Sequence, residues 1–177
     1  MGQLYDFAEV VKNETTPNAN SAQRIGNWME LAATAIETLP SALNFFDFST
    51  SGVTTGSQDV FVPLNATVTQ GYQRNGISVN ASGLVSYTGS PKQFQFSFII
   101  SFLGATNRKI HAAMFKNDEL WPCSEFVAVI PSGAEVTIPS QCVIPLDAGD
   151  TLHVRVKCST HALSITLDNI NVIIKEL

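Results

Sequence analysis

Apolar and polar side chains alternate along much of this chain. In "FQFSFIISF", Phe94, Phe96, Phe98, Ile100 and Phe102 fall on one face, with Gln95, Ser97 and Ser101 on the other. In "TLHVRVKCS", Leu152, Val154, Val156 and Cys158 alternate with His153, Arg155 and Lys157. Leu163, Ile165 and Leu167, followed by Ile170, Val172 and Ile174, continue the pattern. A period of two with one apolar face predicts half-buried antiparallel strands. Turn signals separate them: "RNG", "ASG", "GSP", "KND", "PSG" and "DAGD". Pro139 and Pro145 suit a sheet edge or a strand end, because proline has no N–H to give to a ladder. From residue 59 to 177 the pattern predicts roughly eight to ten strands, closing as a sandwich or barrel of jelly-roll type.

The first forty residues follow a different period. Pro17, then Asn20 with Gln23 three positions later, form a helix start with a capping box; Pro40 ends it. Between them Ala22, Ile25, Met29, Ala32, Ile36 and Leu39 recur at alternating spacings of three and four, an a/d seam. Trp28, Leu31 and Ala35 form a second apolar stripe beside it. A helix of this length is marginal alone in water, so the seam needs a partner: the chain's own β region or copies of the same helix. The 3-4 spacing and the intervening residues 41–58, read as a linker, favour self-association. Ahead of the helix, Leu4, Phe7 and Val11 lie at helical spacing in a short amphipathic stretch tethered by the polar hinge "KNETTPNAN". Such a peptide either docks on a larger body or folds back on its own protein. The predicted organisation is thus a docking segment and hinge (1–19), an oligomerising helix (20–40), a linker (41–58) and a β head (59–177).

Composition narrows the partners. Of 177 residues, 45% are hydrophobic, enough for a real core, while only 14% are charged, well below the usual quarter. The surface is therefore rich in neutral polar groups or covered by partners. A net charge of −5 without a basic cluster argues against nucleic acid. No apolar run reaches the roughly 18 residues of a membrane helix, so no membrane partner is expected. The N-terminus lacks the charged n-region and long apolar core of a signal peptide. Cys123, Cys142 and Cys158 have no metal-type spacing, and their odd number argues against a complete disulfide framework; they read as small core thiols.

Catalytic chemistry finds no anchor in the pattern. His111, His153 and His161 show no His-x-His or His–carboxylate spacing, so no metal and no cofactor are expected. Asp147 and Asp150 around Gly149 read as turn residues. No nucleophile motif stands out, and the chain is expected not to be an enzyme. Trp121, in "NDELWPCSEF", is the single candidate for ligand contact: a tryptophan beside a turn stacks on a sugar or, more commonly, plugs the end of a barrel.

The ordered series "GLVSYTG", the Phe-rich strand, "RKIHAAMFKNDEL", "IPLDAGDTLHVRV" and a final "NVIIKEL" resembles the trimeric tumour-necrosis-factor/complement-C1q-like jelly roll as found in bacteriophage structural proteins. The resemblance covers about residues 76–177. "TPNANSAQRIGN" is similar to the "TAERVGN" segments that precede the stalks of phage fibre and appendage proteins. The resemblance implies a homotrimer made in the bacterial host cytoplasm, held to the capsid or tail of a virion by its N-terminus, with an outward head. The major capsid protein or another virion protein is then the docking partner. The lack of an extended shaft or collagen-like repeat favours a capsid head fibre or decoration protein. The alternative is a short tail fibre whose head recognises a host-surface glycan.

Overall fold

In the computed structural model, residues 40–47, 53–64, 66–131 and 135–177 are described. Sheet A is built on two long antiparallel strands, β7 (Lys92–Gly104) and β13 (Leu163–Glu176). Strand β11 (Val136–Leu146) pairs with the other side of β7; β1 (Ala42–Asp47) pairs with β13 and is followed by β4 (Thr69–Arg74). Strand β2 (Val53–Gly56) pairs with the start of β13. Sheet B runs in the order β10 (Phe126–Val129), β8 (Lys109–Lys116), β12 (Thr151–Cys158), β6 (Val85–Tyr87), β5 (Ile77–Val79). Two short strands join it: β3 (Val62–Pro63) against β12 and β9 (Glu119–Leu120) against β8. All the pairings are antiparallel.

The core fills the space between the sheets with the side chains that the alternation selects. Phe94, Phe96, Phe98, Ile100 and Phe102 are all buried, as are Leu152, Val154, Val156 and Cys158. Register stacks them in ladders: Val172 lies opposite Phe98 on one side and Phe45 on the other, and Ile174 opposite Phe96 and Leu43. The inward series on β13 changes from odd to even numbers after Leu167. A β-bulge between Leu167 and Asn169 supplies the extra residue and returns Ile170, Val172 and Ile174 to the core. At the "KND" signal, Asn117 and Asp118 both take positive φ, 51° and 66°, closing the tight hairpin from β8 to β9. The two prolines of β11 lie on an edge strand of sheet A, where a missing N–H costs least.

Two expectations need correction. Residues 41–58 are not simply a linker: they contain β1 and β2, and Leu43 and Phe45 are fully buried. The adjacent Phe45–Phe46 blurs the alternation of β1, and Asp47, polar yet inward, interrupts its apolar face. Asp47 tolerates burial because its carboxylate accepts a hydrogen bond from the Thr67 N–H, at 3.1 Å. Nor are the cysteines uniformly core residues. Cys142 and Cys158 are buried, but Cys123 is exposed in the 3₁₀ turn Pro122–Ser124. No α-helix occurs among the described residues. The predicted helical seam (Ala22, Ile25, Met29, Ala32, Ile36, Leu39) and docking residues (Leu4, Phe7, Val11) lie outside them.

Candidate interaction surface

The two sheets present opposite kinds of outer face. On sheet B, β12 turns Arg155 and Lys157 outward. Arg155 pairs with Asp118 and stacks over Phe115, 4.6 Å from the ring centre, while Lys157 pairs with Asp59 at 2.9 Å and lies over Phe61. This face is charged, internally paired and suited to water.

Sheet A is different. Across the middle of β11, β7 and β13 the outward residues are Thr137, Pro139, Gln141 and Val143; Gln95, Ser97, Ile99 and Ser101; Asn171 and Ile173. None of these carries a charge; the nearest outward charge on β13 is the exposed Lys175, opposite Gln95. Ile99, Val143 and Ile173 are each about half exposed, at 48–49%. The polar groups among them partly satisfy one another: Ser101 bonds Thr137 at 2.8 Å, and Asn44 on β1 donates to Asn171 at 2.9 Å. A groove of about 330 Å³ runs between Ile99, Ile173, Pro139 and Gln141, and Phe126 from the edge of sheet B closes one side. An ion pair closes the end of this face, between Lys92 and Glu176 at 2.7 Å. A second apolar patch lies on the edge strand β10, where Phe126, Val127 and Val129 are exposed.

Trp121 is partly buried, and its indole N–H donates to the Val143 carbonyl at 3.1 Å, which holds the ring against the end of the sandwich. The ring also lines a cleft of about 390 Å³ with Lys116, Asn117, Glu119, Leu120 and Pro122. Two of the polar side chains there are already engaged. Lys116 Nζ contacts the Pro145 carbonyl (2.7 Å) and Asp150 (2.8 Å), and Asn117 bridges Asp150 (2.6 Å) and the Thr151 N–H (2.8 Å).

Folding also builds a contact that spacing conceals. His111 Nδ1 lies 2.7 Å from Glu125, and Nε2 lies 3.0 Å from the Ser159 hydroxyl. A serine–histidine–carboxylate chain has the order of a nucleophile relay, which further requires oxyanion donors and a substrate cavity. Neither the groove nor the cleft is lined by any of the three residues. They clamp β8 to the turn before β10 and to the end of β12. Among the described residues no group of three or more His, Cys, Asp or Glu is gathered to hold a metal.

Ile99, Val143 and Ile173 escape the alternation pattern, although the sequence carries a signal for them. Each directly precedes an inward isoleucine, as Ile99–Ile100, Val143–Ile144 and Ile173–Ile174. In a strand of period two, a doubled apolar residue must expose one of the pair, and all three doublets belong to the same sheet.

Comparison with solved structures agrees on this architecture. A tumour necrosis factor, Eiger, from S. frugiperda matches with a TM-score of 0.57 at 15% identity, over 78% of this chain and 94% of that one. Murine APRIL matches with a TM-score of 0.57 at 14% identity, over 78% of this chain and 100% of that one. The globular domain of zebrafish complement 1qA matches with a TM-score of 0.54 at 12% identity, over 78% and 97%. The chain therefore has a TNF/C1q-like jelly-roll fold. No protein-family model and no curated protein sequence matches it.

Proposed function

We propose that this chain is a non-enzymatic virion structural protein: a homotrimeric capsid head fibre or decoration protein, anchored through its N-terminus with the β head outward. The observation that carries self-association is the uncharged, half-apolar centre of the outer face of sheet A, set against the charged and paired face of sheet B. Its partner surface is the β10 edge, where Phe126, Val127 and Val129 are exposed. A contact between the sheet A face of one copy and the β10 edge of another is heterologous rather than two-fold, and heterologous contacts form a ring where the rotation closes. Three is the ring size that the sequence resemblance implies. The virion assignment rests on that resemblance and on the docking peptide, hinge and seam read from residues 1–40.

A second reading, a short tail fibre binding a host-surface glycan, draws on the cleft beside Trp121, where the indole face and Glu119 combine an apolar platform with a hydrogen-bond acceptor. Imaging particles labelled with antibody against the head decides between them. Label over the capsid shell supports the head-fibre reading; label confined to the tail overturns it in favour of the second.

A further inference from the structure

The 3₁₀ turn Pro122–Ser124 is fastened to the edge strand β11 at two points. The Ser140 hydroxyl donates to the Ser124 carbonyl at 2.9 Å, and the Trp121 indole N–H donates to the Val143 carbonyl at 3.1 Å. The two segments therefore run past each other in opposite directions, with Ser124 beside Ser140 and Trp121 beside Val143. Cys123 lies between Trp121 and Ser124 on the turn, and Cys142 between Ser140 and Val143 on β11, so the order of contacts sets one cysteine against the other. Cys142 is inward on β11, on the same face as Ser140, whereas Cys123 is exposed to solvent.

We propose that Cys123 and Cys142 are an oxidisable pair that closes an intrachain disulfide between the 3₁₀ turn and β11. The link would join the turn leading into β10, the edge of sheet B, to the edge strand of sheet A. Phe126, which closes the groove on sheet A, follows Cys123 by a few residues, so the disulfide would hold that side chain in place. Cys158 has no such partner: it is buried on β12 and contacts the Thr160 hydroxyl at 3.4 Å.

The chemistry is thiol–disulfide exchange, with oxidised glutathione as the oxidant. The exposed Cys123, as thiolate, attacks one glutathione sulfur; that S–S bond breaks, one glutathione thiolate leaves, and a mixed disulfide remains on Cys123. Cys142 then loses its proton and attacks Cys123 Sγ, expelling the second glutathione thiolate. Two protein thiols are oxidised and one glutathione disulfide is reduced to two thiols. Burial, and then the neighbouring Cys123 thiol, push Cys142 up to about 12. Little Cys142 thiolate exists at neutral pH, so the second step is slow there and quickens about tenfold per pH unit in mildly alkaline solution.

The test uses the full chain with all three cysteines, incubated with oxidised glutathione, then alkylated and mapped by peptide mass spectrometry without reductant. The expected result is a linked peptide pair containing Cys123 and Cys142, with titratable thiols falling from three per chain to one, at Cys158. C142S should stop at the glutathione adduct on Cys123, and C123S should keep its thiols at 142 and 158. If C142S fails to fold, the mapping of the unaltered chain still decides. A chain that retains the glutathione adduct at Cys123 and a free thiol at Cys142, even at pH 9, overturns the proposal, as does a disulfide that includes Cys158.

Discussion

Lys116 and Asp150 form an ion pair of 2.8 Å at one end of the sandwich, tying the last residue of β8 to the turn that leads into β12. Both side chains are mostly buried. Burial pushes the Asp150 carboxyl up, but the Asp147 amide, Lys116 and Asn117 together outweigh it and hold its pKa below the ordinary value. Glu176 behaves alike: burial raises it, while Lys92 and the Ser41 amide bring it lower. A carboxylate with a depressed folded-state pKa contributes stability that is present above its unfolded-state pKa and lost as pH falls through the folded value. The head should therefore lose stability below about pH 4. His153 extends the trend upward: burial lowers its pKa from 6.5, so the folded state resists protonation and stability begins to fall below that pH. Thermal melts between pH 7 and 3 read the profile. Asp150→Ala, which leaves Lys116 without its charge partner, should cost about 3 kcal/mol at pH 7 and flatten the acid limb.

The ladder Phe98–Val172–Phe45 crosses three adjacent strands at the centre of sheet A. Phe98→Ala removes a ring from a fully buried site and should cost about 3–5 kcal/mol. Ile99→Ala, one position along but half exposed, should cost under about 1 kcal/mol in the isolated head. Denaturant titration of both variants measures the contrast; similar losses would mean that Ile99 is not free on this face.

The alternation located the inner faces of β7, β12 and β13 because a period of two leaves little choice of side. Its breaks were less legible. The parity change after Leu167 is in the sequence, but only the pairing with β7 identifies it as a bulge. Strand β1 is concealed because Asp47 is inward and accepts a hydrogen bond from Thr67, twenty positions away. Long-range partners also account for the clamp at His111, whose contacts come from Glu125 and Ser159 on separate segments. The apolar groove on sheet A was half legible: the doublets mark its residues, but only the register of β11, β7 and β13 brings them together.

Two surfaces are assigned to self-association, and substitution separates them. Ile99→Asp with Ile173→Asp puts two carboxylates on the apolar face of sheet A, where a covering partner would bury them unpaired. Ile25→Asp with Ile36→Asp does the same to the proposed helical seam. Light scattering on the full chain should give a trimer mass for the unaltered protein and a lower mass for each double variant at micromolar concentration. The melt of the head should stay within a few degrees in the first pair, because both side chains point away from the core. A trimer that persists in the Ile99/Ile173 variant would remove sheet A from the interface, and one that persists in the Ile25/Ile36 variant would remove the seam.

Attachment should depend on the segment that precedes the hinge. Leu4, Phe7 and Val11 offer a few apolar anchors, each giving roughly 1.5–3 kcal/mol if fully buried, against the cost of ordering a tethered peptide. One such peptide binds modestly. Three, joined through the proposed trimer, would raise one another's effective concentration, provided that more than one can engage at once. A chain lacking residues 1–15 should keep the melting profile of the head and the mass of a trimer, because it retains residues 40–177 and the seam, yet fail to decorate particles stripped of the native protein. Leu4→Asp with Phe7→Asp in the full chain should reproduce the loss. Co-sedimentation with particles, across a range of protein concentrations, measures both. If the truncated chain decorates with unchanged affinity, attachment belongs to the head or the helix, and the division of the protein into a docking end and a free end is reversed.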